Sequence, residues 1–230
     1  MIEPIVRSSD PITLIGGGEA TAEDLHKALT AAPVCVAADG GAALAVAQKV
    51  DLAALIGDFD SVSEDTLAAV PKERRHHIPE QNSTDFEKAL TRIAAPMVLG
   101  VGFLGGRIDH QLAVFHSLMA FPDRPCLLIG RTEIICLAPP QITVPTRADD
   151  IVSLFPMAPV TGHSDGLAWP IAGLPLAPGV QVGTSNRATG PLSLRMEKPD
   201  MLLILPRRLM SEMVALLGRP EAARWPARAG

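Results

Sequence analysis

The sequence predicts an α/β fold: an N-terminal Rossmann-like domain built on a parallel sheet, then a C-terminal all-β, sandwich-like domain. Three observations lead there. Between residues 11 and 135, short apolar runs alternate with segments of helical period. Those runs are apolar along their whole length, as in parallel strands covered on both faces. From about Gln141 the helical period disappears until residue 206, and short extended runs punctuated by Pro and Gly replace it. The change falls near LAPPQ and divides the chain into an α/β domain, 1–138, and a β-rich domain, 139–230.

In order, PITLIGGG is a strand running into glycines. TAEDLHKAL opens a helix with Thr21 as N-cap and Glu23 and Asp24 in the first turn, where acids suit the dipole. APVCVAADGG is a second strand, GAALAVAQK a short helix and LAALIGDFDS a third strand. SEDTLAAV is a helix capped by Ser63, and RRHHIPEQ a loop with a short extended stretch, its histidines solvated. TDFEKALTRIAA is a helix opened by Thr84, with Glu87 completing a capping box. MVLGVGFLG is a strand, DHQLAVFHSLMA a helix, and CLLIG and IICLAP short strands. ITVPT, DIVSLFP, VQVGT, PLSLRME and MLLILP are the extended runs of the second domain, with Lys198-Pro199-Asp200 as a hairpin turn. The tail holds a short helix, SEMVALL, and a loose end rich in Pro, Arg and Ala.

Composition removes several classes of function. A chain of 230 residues, 47% hydrophobic, builds its core without a metal or disulfide staple. A net charge of -5 argues against a nucleic-acid surface. No apolar run reaches the roughly 18 residues a membrane helix needs. Cys35, Cys126 and Cys136 lie in apolar segments without metal spacing and read as buried thiols in a reducing compartment. MIEPIVRSSD has no apolar signal core, so the expected location is the cytoplasm.

Ligands of parallel α/β sheets sit beyond the carboxyl ends of the strands. Asp39, Asp58, Asp60 and Asp109 follow apolar strands there, and Asp85 opens a helix. If the strand continued through GDFDS, Asp58 and Asp60 would share one face while Phe59 pointed into the sheet. Two converging carboxylates repel, and a divalent cation removes that cost; Mg²⁺ suits such hard oxygens. A polar turn with solvated acids is the other reading of this stretch. Arg107 offers a fork of donors suited to phosphate, or else a surface ion pair with Asp109. Gly16 to Gly18 permit close backbone approach, but neither the dinucleotide nor the Walker pattern is present. Residue chemistry alone thus points to Mg²⁺-dependent transfer or hydrolysis on a phosphorylated ligand.

The order ADGG, IGDFDS, QNSTDFEKAL, GFLGGRIDHQLA, then LAWPI, GTSNRATG and MLLILP, resembles the thiamine pyrophosphokinase family over roughly residues 12–206. The resemblance implies an α/β catalytic domain, a β-rich domain and a homodimer with thiamine at its interface. It implies transfer of the pyrophosphoryl group of ATP to the thiamine hydroxyl, giving thiamine diphosphate and AMP, with Mg²⁺ required. By the same resemblance Asp58, Asp60 and Asp85 handle the metal, and Asp60, Asp85, Arg107 and Asp109 are catalytic. Asp39, Gln81, Thr84 and Arg107 then belong to the nucleotide site, and Trp169, Ser185 and Asn186 lie near the thiamine. Asn82 stands where relatives often carry an acid, and Ala168 where many carry a longer side chain.

On residue chemistry, Trp169 is a stacking group or a core residue, and Ser185-Asn186 a ligand contact or a turn. The rival functions are another Mg²⁺-nucleotide enzyme of the same architecture, acting on a different alcohol or as a phosphohydrolase, and a non-catalytic metabolite-binding dimer.

Overall fold

A computed structural model describes residues 2–228. The chain forms two compact units, Met1–Ser117 and Leu118–Gly230. The first contains β1 (Val6–Arg7), β2 (Ile12–Ile15), α1 (Ala22–Ala31), β3 (Val34–Ala38), α2 (Ala42–Ala47), β4 (Leu52–Gly57), α3 (Glu64–Ala69), β5 (Arg75–His77), α4 (Asp85–Thr91), β6 (Ile93–Ala94) and β7 (Val98–Val101). Helix α5 (Ile108–Ala120) contains the boundary.

The ladders β3–β4, β4–β5, β2–β7 and β1–β6 are all parallel, and β2 and β7 are buried along their whole length. Ile12 makes an isolated bridge to Pro33 and so sets β2 beside β3. On one side of the strands Ile15, Leu25, Ala37, Ala42, Leu52 and Leu55 form an aliphatic core. Thr21 and Asp24 close a full capping box on α1. At α4 only half of the expected box exists: the Thr84 hydroxyl accepts from the Glu87 amide, and the return bond from the Thr84 amide to the Glu87 carboxylate is absent from the cap. The stretch after α4 leaves the helix at once, because Ile93–Ala94 pair with β1.

The second unit is antiparallel. It contains β8 (Cys126–Ile129), β9 (Glu133–Leu137), β10 (Gln141–Val144), β11 (Ile151–Pro156), β12 (Gly162–Leu167), β13 (Gly183–Met196), β14 (Met201–Pro206) and α6 (Met210–Gly218). Strand order β8-β9-β14-β11-β13 makes one sheet. The far half of β13 pairs with β10 and β12 instead. A strand of 14 residues therefore passes from one sheet to the next, which gives the unit its sandwich-like form. Alternating burial along β10 and β11 marks strands with one wet face.

Several local expectations differ from this architecture. CLLIG and IICLAP, which continue the apolar rhythm of the first unit, form an antiparallel hairpin and join β14. An apolar run shows burial on both faces but not the direction of its neighbour. VQVGT and PLSLRME are not separate strands; from Gly183 onward they are one, β13. Lys198-Pro199-Asp200 is not a hairpin turn, since β13 and β14 both pair with β11, which lies between them. His76 and His77 are part of β5 rather than a loop. The tail is not loose up to Arg228: the Trp225 indole donates to the Ala138 carbonyl at 2.8 Å, and Arg228 donates to the Met119 carbonyl at 2.7 Å and to Asp200 at 2.7 Å. All three cysteines are buried and free, and burial pushes the Cys35 and Cys136 thiols up to about 12. No helix among the described residues is long and apolar enough to cross a membrane.

Candidate active site

The site is built where β3 and β4 end. Asp39 follows β3 directly, in a left-handed conformation (φ 43°) and 4% exposed. Two glycines let the strand ends close up around it. A Cβ on Gly57 would lie 2.9 Å from the Asp39 Cβ, and one on Gly41 would lie 2.2 Å from the Ile15 carbonyl oxygen. Neither contact is tolerable, so the close approach of these strand ends depends on glycine.

Asp39 organises the next loop. Its carboxylate accepts from the Phe59 amide at 2.8 Å and the Ser61 amide at 3.2 Å. Phe59 is itself left-handed (φ 66°), and β4 stops at Gly57. The strand geometry therefore does not continue through GDFDS, contrary to the sequence expectation. The Phe59 ring turns to His77, with centroids 5.4 Å apart. The wrapped loop still brings the acids together: carboxylate oxygens of Asp39, Asp58 and Asp60 lie within 4.8 Å of one another. Asp39, rather than Asp85, is the third member of this trio.

Asp85 faces a different group. It opens α4, which packs against β3 and β4. Phe86 anchors that helix, edge-on to Phe103 at 4.7 Å. Lys88, one turn after Asp85, is only 1% exposed. Its ammonium donates to Asp58 Oδ2 at 2.8 Å and to Asp85 Oδ1 at 3.2 Å. Gln81 Nε2 donates to the same Asp58 oxygen at 3.1 Å. The Thr84 hydroxyl is engaged as the N-cap of α4. Sequence reasoning missed Lys88; its signal was the three-residue spacing from Asp85, which places both on one helix face.

Arg107 and Asp109 are exposed and pair with each other, Nε to Oδ1 at 3.1 Å. That pairing holds the Asp109 carboxyl down at about 2. In the second unit, Asn186 is buried within β13 and is not a turn residue. Its amide oxygen accepts from the Trp169 and Arg187 amides at 3.2 and 2.8 Å, and its nitrogen donates to the Trp169 carbonyl at 2.7 Å. It clamps the main chain of Trp169, whose side chain is not in the core: the residue is 59% exposed. Ser185 (φ 57°) is held by its amide, which donates to Ser153 Oγ at 3.0 Å.

Residues 25–128 match the family model described as thiamin pyrophosphokinase, catalytic domain, a span that holds every acid of the site together with Gln81, Lys88 and Arg107. Over that span the chain resembles the thiamin pyrophosphokinase catalytic domain. Thiamin pyrophosphokinase 1 of Caenorhabditis elegans is 27% identical over 155 residues; the match spans 59% of this chain and 62%, less than two thirds, of that protein. The fold is similar to that of thiamin pyrophosphokinase from Candida albicans (TM-score 0.72, 17% identity, 86% of this chain and 89% of that one). It is similar also to the yeast enzyme (TM-score 0.70, 16% identity, 90% and 92%) and to that of Bacillus subtilis (TM-score 0.69, 19% identity, 85% and 98%).

The electrostatics of the acidic site are divided. Burial pushes the Asp39 carboxyl above its ordinary value, against the pull of the Phe59, Gly40 and Ser61 amides. Burial likewise raises Asp85, with Lys88 opposing. Asp58 is held low, first by the Lys88 hydrogen bond. For Lys88, burial works to lower the ammonium, but its bonds to Asp58 and Asp85 outweigh burial and raise it. The site thus keeps one firmly ionised carboxylate, Asp58, beside two that hold a proton more readily.

Proposed function

We propose that the protein transfers the pyrophosphoryl group of ATP to the hydroxyl of thiamine, giving thiamine diphosphate and AMP. One observation carries this reading beyond the family resemblance: the convergence of Asp39, Asp58 and Asp60 at the strand ends, with Asp85 tied to Asp58 through Lys88. Hard carboxylate oxygens from three residues within 4.8 Å fit a magnesium ion. Mg²⁺, when bound there, would neutralise phosphate charge and polarise the β-phosphoryl group.

The chain's own groups supply the rest. The thiamine hydroxyl oxygen forms a bond to the β-phosphorus, and the bond from that phosphorus to the oxygen bridging to the α-phosphate breaks. The electron pair leaves on AMP. The hydroxyl proton passes to a carboxylate, Asp60 or Asp85, late in the transfer. Arg107, kept in place by Asp109, offers its fork to phosphate oxygens as charge builds. Trp169 presents its indole to the cationic thiazolium or the flat aminopyrimidine, and Asn186 fixes the loop that carries it.

A homodimer is part of the proposal. Ile151 and Phe155 project from β11, Val182 precedes β13, and all three are exposed, an apolar surface suited to a second copy. The proposed compartment is the cytoplasm. The test is a product assay with thiamine, ATP and Mg²⁺. Thiamine diphosphate with AMP supports the reading. Thiamine monophosphate with ADP would make the protein a simple kinase, and no product would make it a binder.

A further inference from the structure

The acidic site carries a cation of its own. We infer that Lys88 is a resident counter-ion, a positioning residue that holds Asp58 and Asp85 together in the metal-free protein and hands part of that task to a divalent cation. The inference rests on the metal reading of the acid trio. Four carboxylates, Asp39, Asp58, Asp60 and Asp85, stand at this end of the sheet, and the Lys88 ammonium is bonded to two of them. Burying a lysine is costly unless its charge is paired, and at 1% exposure Lys88 has no escape to water.

The geometry separates the ammonium from an incoming ion. Lys88 and Gln81 both address Oδ2 of Asp58, at 2.8 and 3.1 Å. Among the described residues, Oδ1 carries only the long bond from the Asp60 amide, at 3.3 Å. Lysine and metal therefore need not share one oxygen atom. They still repel as charges, and that repulsion weakens metal binding. Removing the ammonium should have two opposite effects: a less stable metal-free protein and a tighter metal site.

Lys88→Met keeps most of the buried stem and deletes the charge. Lys88→Arg keeps the charge. Lys88→Met with Asp85→Asn removes one acid along with the ammonium and restores the balance. Binding of Mn²⁺ alone is followed by the resonance of the free ion, with Mg²⁺ as competitor. Melting temperatures are taken in chelator and in saturating Mg²⁺. Lys88→Met should bind Mn²⁺ about tenfold tighter, melt several degrees lower in chelator and recover most of that loss in Mg²⁺. Lys88→Arg should bind like the parent, and the double variant should melt above Lys88→Met in chelator.

Equal melting losses with and without Mg²⁺, together with unchanged or weaker Mn²⁺ affinity, would make Lys88 a structural prop and overturn the inference. Should Lys88→Met fail to fold even in Mg²⁺, the double variant decides: if it fails too, charge balance is not what Lys88 supplies. A parent protein that binds no Mn²⁺, or binds it as well after Asp60→Asn, would overturn the metal reading itself, a result distinct from metal binding that ignores Lys88.

Discussion

Trp169 offers the sharpest test of where thiamine binds. Trp169→Ala removes an indole that is 59% exposed, on a loop whose main chain Asn186 holds independently. A fully buried Trp costs about 3–5 kcal/mol to truncate, so this one should cost about 1–2 kcal/mol at most. For a chain of this size that lowers the melting temperature by only a few degrees. The affinity effect should be larger. A desolvated cation–π contact contributes roughly 1–2 kcal/mol, so thiamine should bind about 5- to 30-fold more weakly. A non-hydrolysable ATP analogue, expected at the acids of the other unit, should bind unchanged. Titration calorimetry with each ligand measures both, and Trp169→Phe should show a smaller defect. Asn186→Ala is the contrasting variant. It removes three hydrogen bonds from a side chain 5% exposed, at about 1 kcal/mol each, and should lower the melting temperature more than Trp169→Ala does. Equal losses for thiamine and the ATP analogue in Trp169→Ala, or no loss for either, would refute the reasoning.

Three further outcomes are expected. Asp60→Asn should lower turnover by about 100-fold or more while circular dichroism stays unchanged, because Asp60 is exposed and, among the described residues, its side chain bonds only to Ser61. Truncation after Gly218 removes the Trp225 and Arg228 bonds and uncovers Leu118, Cys126, Leu137 and Leu217; melting should fall by about 5–10 °C, and an unchanged melting temperature would show the tail to be ornamental. The third concerns pH. Lys88 depresses the Asp58 carboxyl, so this pair stabilises the fold above the unfolded value of about 3.9 and the gain is lost as pH falls through the lower folded value. The melting gap between the parent and Asp58→Asn should therefore narrow below about pH 4, and a gap that widens there would contradict the ion pair.

Much of the site was legible because its signals are local. Strand-end acids, the Thr21 and Thr84 caps and the glycines after each strand are read from neighbours in sequence. What escaped depends on residues far apart. Lys88 meets Asp58 across thirty positions, and no periodicity in α4 announces that its side chain turns inward. Asp39 reaches the Phe59 and Ser61 amides twenty and twenty-two positions on, and so bends a loop that looks extended by itself.

The sequence by itself determined that apolar strands alternate with helices in the first half, that β structure fills the second, and that acids gather at the strand ends. Hydrophobic period and turn chemistry act over a few residues, so they can be read without the fold. Only the tertiary structure decided the rest: that CLLIG and IICLAP run antiparallel beside β14, that Asp39 completes the trio with Asp58 and Asp60, and that a buried ammonium ties Asp58 to Asp85. The physical reason is common to all three. Strand direction, loop wrapping and charge pairing are set by partners distant in the chain, whose approach becomes favourable only once the core between them has formed.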